Sequence, residues 1–341
     1  MLKQQISIVI VGLSILTIVS FLWLLSISKK QMIHTSGLPM KVCRYYWPGT
    51  YWIEIAKQKG WFKEAGLNVL LVNGNDDYYA SIQNMVDGKL DSNGFYLFDV
   101  MAFNAKGADL VIVINTDNSF GSEAIVAHKN IQNVMALKGK KIGVKKNTYM
   151  EYILDIVLEK YGLTLNDVEL IDISGENAPE AFVKKRVDAI ITWEPLASET
   201  IQKGNGIKLF DTSQIYGIVP AVHVLKKKFI RERPEDVQAY VNVWYRTIEF
   251  IKLNPEEAFK IIADIYNTTP AEVQAFAQKD MILDLQDNLT SFTYAAGFKS
   301  LYGSVRKIND FMIQKKMTTK HFDSTEFINA KFIRTLNQNL R

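Results

Sequence analysis

The stretch AIITWEPLAS, residues 189–198, runs apolar residues into Trp193 and Glu194 and opens a helical segment after Pro195. An indole beside a carboxylate at the end of a strand is equipment for recognition: the ring walls a pocket, and Glu194 accepts hydrogen bonds from an amine or amide. In open α/β sheets ligands collect beyond the carboxyl ends of strands, where these two residues stand. The bland account of Glu194 is a carboxylate in the first turn of a helix, stabilised by the dipole. A second stretch, KKNTYMEYIL (145–154), begins a helix at Asn147 or Thr148, whose free N–H groups suit an anion. Thr148 and Glu151 also form the T-x-x-E pattern of a capping box, which fills one of those donors and opposes a second negative charge. Asn147, Thr148 and Tyr149 stay candidates for lining a pocket. In NSFGSEAIV (118–126), Asn118 and Ser119 can donate to a ligand, and Gly121 lets backbone approach it or serves as a turn. NDDYY (75–79) places carboxylates and aromatics at another strand end, and a solvated turn explains it as well.

Aromatic residues gather where strands end or loops begin: Trp47, Tyr51, Trp52, Tyr78, Tyr96, Phe98, Phe120, Tyr149 and Trp193. Flat π faces suit a planar or cationic solute. Pockets are chiefly apolar and aromatic with a few placed polar groups, so about half of these are expected to touch a ligand. No arginine occurs in the candidate loops after Arg44, although arginine is the preferred bidentate partner of oxyanions. The balance tilts from sulfonate or nitrate towards a neutral or cationic, heteroaromatic or amine-bearing solute.

The residue inventory argues against catalysis. Cys43 is the one cysteine, which excludes an intrachain disulfide and a cysteine-held metal; a small buried hydrophobe in a strand fits it better. The four histidines, His34, His128, His223 and His321, have no metal-ligand spacing, and no G-x-S-x-G, P-loop or G-x-G-x-x-G motif occurs. Neither a metal nor a cofactor is expected.

The elements that position these residues alternate. Apolar runs at 41–45, 68–72, 110–114, 141–144, 168–173 and 188–193 read as strands, and 53–65, 79–87, 149–161 and 179–185 read as helices, an α/β pattern. Two parts share one plan. A helix ending in EAGL leads to the strand NVLLV, a second helix and GKLDSNGF; a helix ending in KYGL leads to VELIDI, a second helix and KRVDAIIT. Gly66 and Gly162 suit the left-handed position after a helix, with Leu67 and Leu163 placed for the accompanying contact. Asp91 and Asp188 occupy matching places and read as turn or capping residues. The repeat predicts two lobes: 38–122, then 123–220, then a return to the first at 221–341 with a helical tail. That tail carries apolar stripes at Val237, Val241, Trp244, Ile248 and Ile251, and from Tyr294 through Phe298, Leu301, Val305 and Ile308 to Met312.

Composition is ordinary for a globular chain of 341 residues, with 48% hydrophobic and 22% charged residues, and a net charge of +4 without a basic aromatic stripe argues against nucleic acid. Residues 6–27 carry no charge, enough helix to cross a bilayer, where roughly 20 residues are needed. A signal peptide has a shorter apolar region, so residues 1–37 read as an uncleaved anchor and connector.

The succession WPGTYWIEIAKQKGWFKEAGLNV, GKLDSNG, NSFGSEAIV, LKGKKIGVKKNTYMEYIL and VDAIITWEP, spread over residues 41–316, resembles the substrate-binding proteins of ABC importers for nitrate, sulfonates, taurine and thiamine pyrimidine precursors. The resemblance implies a two-lobed type II periplasmic-binding fold, here preceded by one transmembrane or signal helix. It also implies an extracytoplasmic place, a small-molecule solute, an ABC permease with its ATPase as partner, and a monomer. Pyrimidine synthases resembling this family rely on a cysteine-rich motif and iron-holding histidines, which one cysteine and unpaired histidines do not supply. A membrane-anchored sensor is the competing function, and nothing before the apolar run is long enough for a signalling domain.

Overall fold

The computed structural model describes residues 34–340. The apolar run 6–27, with its expected role as an anchor, lies outside the described residues. Among those described, no helix is long and apolar enough to cross a membrane.

Eleven strands are described: β1 (Pro39–Arg44), β2 (Asn68–Asn73), β3 (Ser92–Tyr96), β4 (Leu110–Ser119), β5 (Glu123–His128), β6 (Lys141–Val144), β7 (Glu169–Asp172), β8 (Ala189–Trp193), β9 (Gly206–Asp211), β10 (Pro220–Lys226) and β11 (Asp280–Ile282). They form a six-stranded sheet, β11-β4-β10-β3-β1-β2, and a five-stranded one, β7-β6-β8-β5-β9. In the first, β1 lies parallel to β2 and β3, and β10 runs antiparallel between β3 and β4. In the second, β6 lies parallel to β7 and β8, and β5 runs antiparallel between β8 and β9. The antiparallel strand of each sheet arrives from the other sheet: β4 passes through residues 120–122 into β5, and β9 through 212–219 into β10.

The repeat in the sequence has a counterpart in hydrogen bonds. Asp91 accepts the Lys41 N–H at 2.7 Å, and Asp188 accepts the Lys141 N–H at 2.8 Å, so each aspartate ties the first parallel strand of its sheet, β1 or β6, to the start of the third, β3 or β8. Gly66 and Gly162 both have φ 75°. Behind them Leu67 N–H reaches Phe62 O at 2.8 Å and Leu163 N–H reaches Leu158 O at 2.9 Å, the 6→1 bond of a Schellman close.

Some elements differ from expectation. The helix expected over 53–65 is two pieces, Ile53–Gln58 and Trp61–Glu64, because Gly60 between them takes φ 74°. β4 runs to Ser119, five residues beyond the expected strand end. β3 was hidden by SNG, which has turn composition; its Gly94 is there for space, since a Cβ would meet Thr50 Cγ2 at 2.6 Å. In the tail, Val237, Val241, Trp244 and Ile248 are buried on the helix Pro234–Leu253. The second stripe is helical only from Leu301 to Gln314, and Tyr294 is exposed outside it.

Candidate functional site

A cavity of about 650 Å3 opens between the two sheets. Its walls come from the carboxyl ends of the parallel strands of both: Tyr45, Tyr46 and Trp47 after β1, residues 74–79 after β2, Tyr96 at the end of β3, Lys145, Thr148 and Tyr149 after β6, residues 174–176 after β7, and Trp193 at the end of β8. Parallel strands point their carboxyl ends one way, so two such sheets that turn those ends to one space bring six strand ends around it.

Six of the residues named singly in the sequence meet here, Trp47, Tyr78, Tyr96, Thr148, Tyr149 and Trp193, together with the rest of the NDDYY stretch, residues 75–79. The ring of Tyr96, from the first sheet, lies 4.4 Å from that of Tyr149, from the second, and 5.2 Å from that of Trp47. Two glycines make room for walls. A Cβ on Gly74 would stand 2.5 Å from the Tyr45 ring, and one on Gly175 would stand 2.2 Å from the Trp193 ring.

Eight others do not line the cavity, Trp52, Phe98 and Phe120 among them. Tyr51 is fully buried, its ring 4.4 Å from Trp52 and 5.6 Å from Tyr46, because the turn of helix after Trp47 carries it into the core. Glu194 is buried and accepts the Ser198 N–H at 3.1 Å, serving the start of the helix Leu196–Gly204; its nearest cation is Lys279 at 3.9 Å. Asn118 is buried in β4 opposite Pro220. Ser119 gives its hydroxyl to Glu123 and lies 2.6 Å from the Thr212 hydroxyl, joining the two passages between sheets. Asn147 takes φ 59° and donates its N–H to Glu151 at 2.6 Å.

The capping box expected at Thr148 and Glu151 is not formed. The Thr148 hydroxyl donates instead to Lys145 O at 2.7 Å, and the fully buried Glu151 reaches one residue further back, to Asn147, while pairing with Lys315 at 2.6 Å. The helix Tyr149–Lys160 therefore starts at the cavity without a side-chain cap.

Charge on the walls is mostly negative. Asp76, Asp77 and Glu176 line the cavity, and Lys145, the lysine beside them, pairs with Asp172 at 3.1 Å. Behind the rings lie further carboxylates. The Trp47 Nε1–H donates to Asp117 at 3.2 Å, the Tyr78 hydroxyl to Asp99 at 2.8 Å, and the Tyr96 hydroxyl to Glu123 at 3.0 Å. Burial pushes the Asp99 carboxyl up to about 7 and Asp117 up to about 6, and raises Glu123. Asp280, on the edge strand beside β4, is raised well above the usual range by burial and then by Asp117 and Glu123. Among the described residues no group of histidine, cysteine, aspartate and glutamate side chains is placed to hold a metal ion.

Sequence reasoning missed the loop 174–176, and also Tyr45 and Tyr46 beside the Trp47 it had chosen. The repeat carries a signal for the former: β7 corresponds to β2, so the loop after it corresponds to the one holding Asn75–Tyr79, and Gly175 to Gly74.

The family model described as NMT1/THI5 like matches residues 48–258, more than half of the chain. The chain belongs to the NMT1/THI5-like family. A Brucella abortus (strain 2308) protein bearing the name of a binding protein is 27% identical over 248 residues, 71% of this chain and 75% of that one. A Bacillus subtilis (strain 168) protein named for binding aliphatic sulfonates is 27% identical over 290 residues, 82% and 83% of the two chains. Among solved structures, the periplasmic aliphatic sulphonate binding protein SsuA of Escherichia coli superposes with a TM-score of 0.67 at 16% identity, over 85% of this chain and 92% of that one. At that identity the likeness shows the fold. This NMT1/THI5-like chain has the mixed α/β periplasmic-binding-protein fold with two sheets.

Proposed function

We infer that the protein is the extracytoplasmic solute-binding component of an ABC-type importer, and not an enzyme. Each sheet, with the helices that flank it, is one lobe, and the lobes close on a small amine-bearing or heteroaromatic solute about residues 120–122 and 212–219. The closed form is handed to a permease. Residues 6–27 hold the protein at the membrane. The observation that carries this reading is the cavity itself, set between the strand ends of two sheets joined by two short passages and walled by aromatic rings with no arginine among them. Relatives named as binding proteins support it.

A second reading, a binder of sulfonate, nitrate or taurine, is favoured by the uncapped start of the helix Tyr149–Lys160 at the cavity and by the name of the Bacillus relative. Thermal stability of the purified chain against amines, pyrimidines, sulfonates, nitrate and bicarbonate tests both. A ligand that binds the native state alone raises the transition in a saturable way. A rise with amines or pyrimidines is expected; a rise with sulfonates alone selects the second reading, and none with any class removes both.

A further inference from the structure

Three of the rings that wall the cavity share an arrangement. Trp47, Tyr78 and Tyr96 each give their polar hydrogen to a buried carboxylate, Asp117, Asp99 and Glu123 respectively. The three come from different elements: β4, the helix Leu97–Asn104 and β5. Each carboxylate is at least nine-tenths buried. Among the described residues no lysine, arginine or histidine stands within ion-pair distance of any of them.

Two physical consequences follow. A hydroxyl or indole N–H already given to a carboxylate is not offered to a ligand, so what these rings hold for a solute is their π system, whose face is the negative end of the ring quadrupole. A carboxylate behind the ring adds its own negative charge in a medium of low dielectric constant, where it is little screened. Both attract positive charge and repel an oxyanion. Asp76, Asp77 and Glu176 on the open walls act in the same sense, and Lys145 is paired with Asp172.

We propose that Asp99, Asp117 and Glu123 are specificity-determining positioning residues that make this cavity a site for an organic cation, a planar or methylated amine carrying its charge against the faces of Trp47, Tyr78 and Tyr96. The proposal rests on the solute-binding reading and narrows its solute class, setting the chain apart from relatives named for sulfonates. It predicts linkage to pH, because a protonated carboxyl behind a ring no longer attracts a cation. The groups facing the three are specific. Asp99 meets Tyr78, Tyr79 and Tyr149; Asp117 meets Thr116, Trp47 and Glu123, with Tyr51 and Asp280 nearby; Glu123 meets Ser119, Thr212 and Tyr96, with Tyr149 and Asp280 nearby. Burial raises all three, so cation affinity falls as pH falls through about 7 to 6.

The test is calorimetric titration of the full chain with two probes built on one ring, benzyltrimethylammonium and benzenesulfonate, between pH 5.5 and 8. The ammonium probe is expected to bind at pH 8, tenfold or more weaker at pH 5.5, and the sulfonate not at all. Glu123→Gln is expected to weaken the ammonium probe about tenfold at pH 8 and flatten its pH profile. Asp99→Asn, which leaves the passages between the sheets untouched, is expected to do the same if Glu123→Gln fails to fold. Sulfonate binding without ammonium binding overturns the cation site and leaves the solute-binding reading standing. Ammonium binding with an unchanged affinity and pH profile in both variants overturns the role of the carboxylates. No binding of either probe overturns the proposal, and the broader thermal screen then decides the solute-binding reading by itself.

Discussion

Trp193 and Glu194 are neighbours in sequence and face opposite ways, as successive residues leaving a strand must. The sequence located the strand end correctly, yet a period of two allows only one of the pair to face the cavity, and it is the indole. Glu194 goes to the start of the next helix. Glu194→Ala should therefore cost about 1 kcal/mol of stability, the usual worth of a cap, and leave solute affinity unchanged; denaturant unfolding alongside titration with a bound solute measures both. Gly175 gives the complementary case. A methyl there would stand 2.2 Å from the Trp193 ring, so Gly175→Ala must displace the ring. The expected outcome is an affinity loss of about tenfold, near 1.4 kcal/mol, read by the same titration. Tyr51 shows what composition cannot reveal: four residues after Trp47 it has the same chemistry and the same kind of neighbours, and only the turn of helix between them sends it to the core.

At the scale of elements, the repeat was the most informative feature of the sequence. EAGL and KYGL each end a helix with a left-handed glycine, and Asp91 and Asp188 each close the start of a sheet. Those features are local, with a backbone demand written into one residue type, which is why they could be read. β3 could not, because its Gly94 answers to the distant Thr50 and looks like turn chemistry from the sequence alone. The capping box at Thr148 failed for a similar reason: Lys315, more than 160 residues away, draws Glu151 to a different bond. The paired aspartates yield a quantitative expectation. Each accepts one strand N–H at a half-buried position, so Asp91→Ala and Asp188→Ala should each cost about 1 kcal/mol. Because they stand in different sheets without shared partners, the double variant should lose the sum within about 0.5 kcal/mol in denaturant titration. A clear departure would mean that the two positions interact energetically across the sheets.

For the whole molecule, the buried carboxylates at the cavity and between the sheets set a dependence on pH. A carboxyl whose folded pKa is raised keeps its proton in the folded chain after the unfolded chain has released it. It therefore adds stability at low pH that is lost as pH rises from the unfolded value, near 4, through the folded value. Asp99 at about 7 and Asp117 at about 6 place that loss between pH 4 and pH 7, with Asp280 extending it upward. Carboxylates held below the usual range act in the opposite sense under pH 4, as Asp236 does, first against burial and then through bonds from Ser36 and Arg233. Between pH 5 and pH 8 the buried group dominates, and the unliganded chain should lose on the order of a few kcal/mol, one pKa shift of a unit being worth about 1.4 kcal/mol. Denaturant midpoints at pH 5 and pH 8 measure this, and Asp99→Asn should shrink the difference. An unliganded fold that weakens as these carboxyls ionise is one that a bound cation relieves. The rise in melting temperature on adding a cationic solute should therefore grow from pH 5 to pH 8, whereas a neutral solute should give the same rise at both.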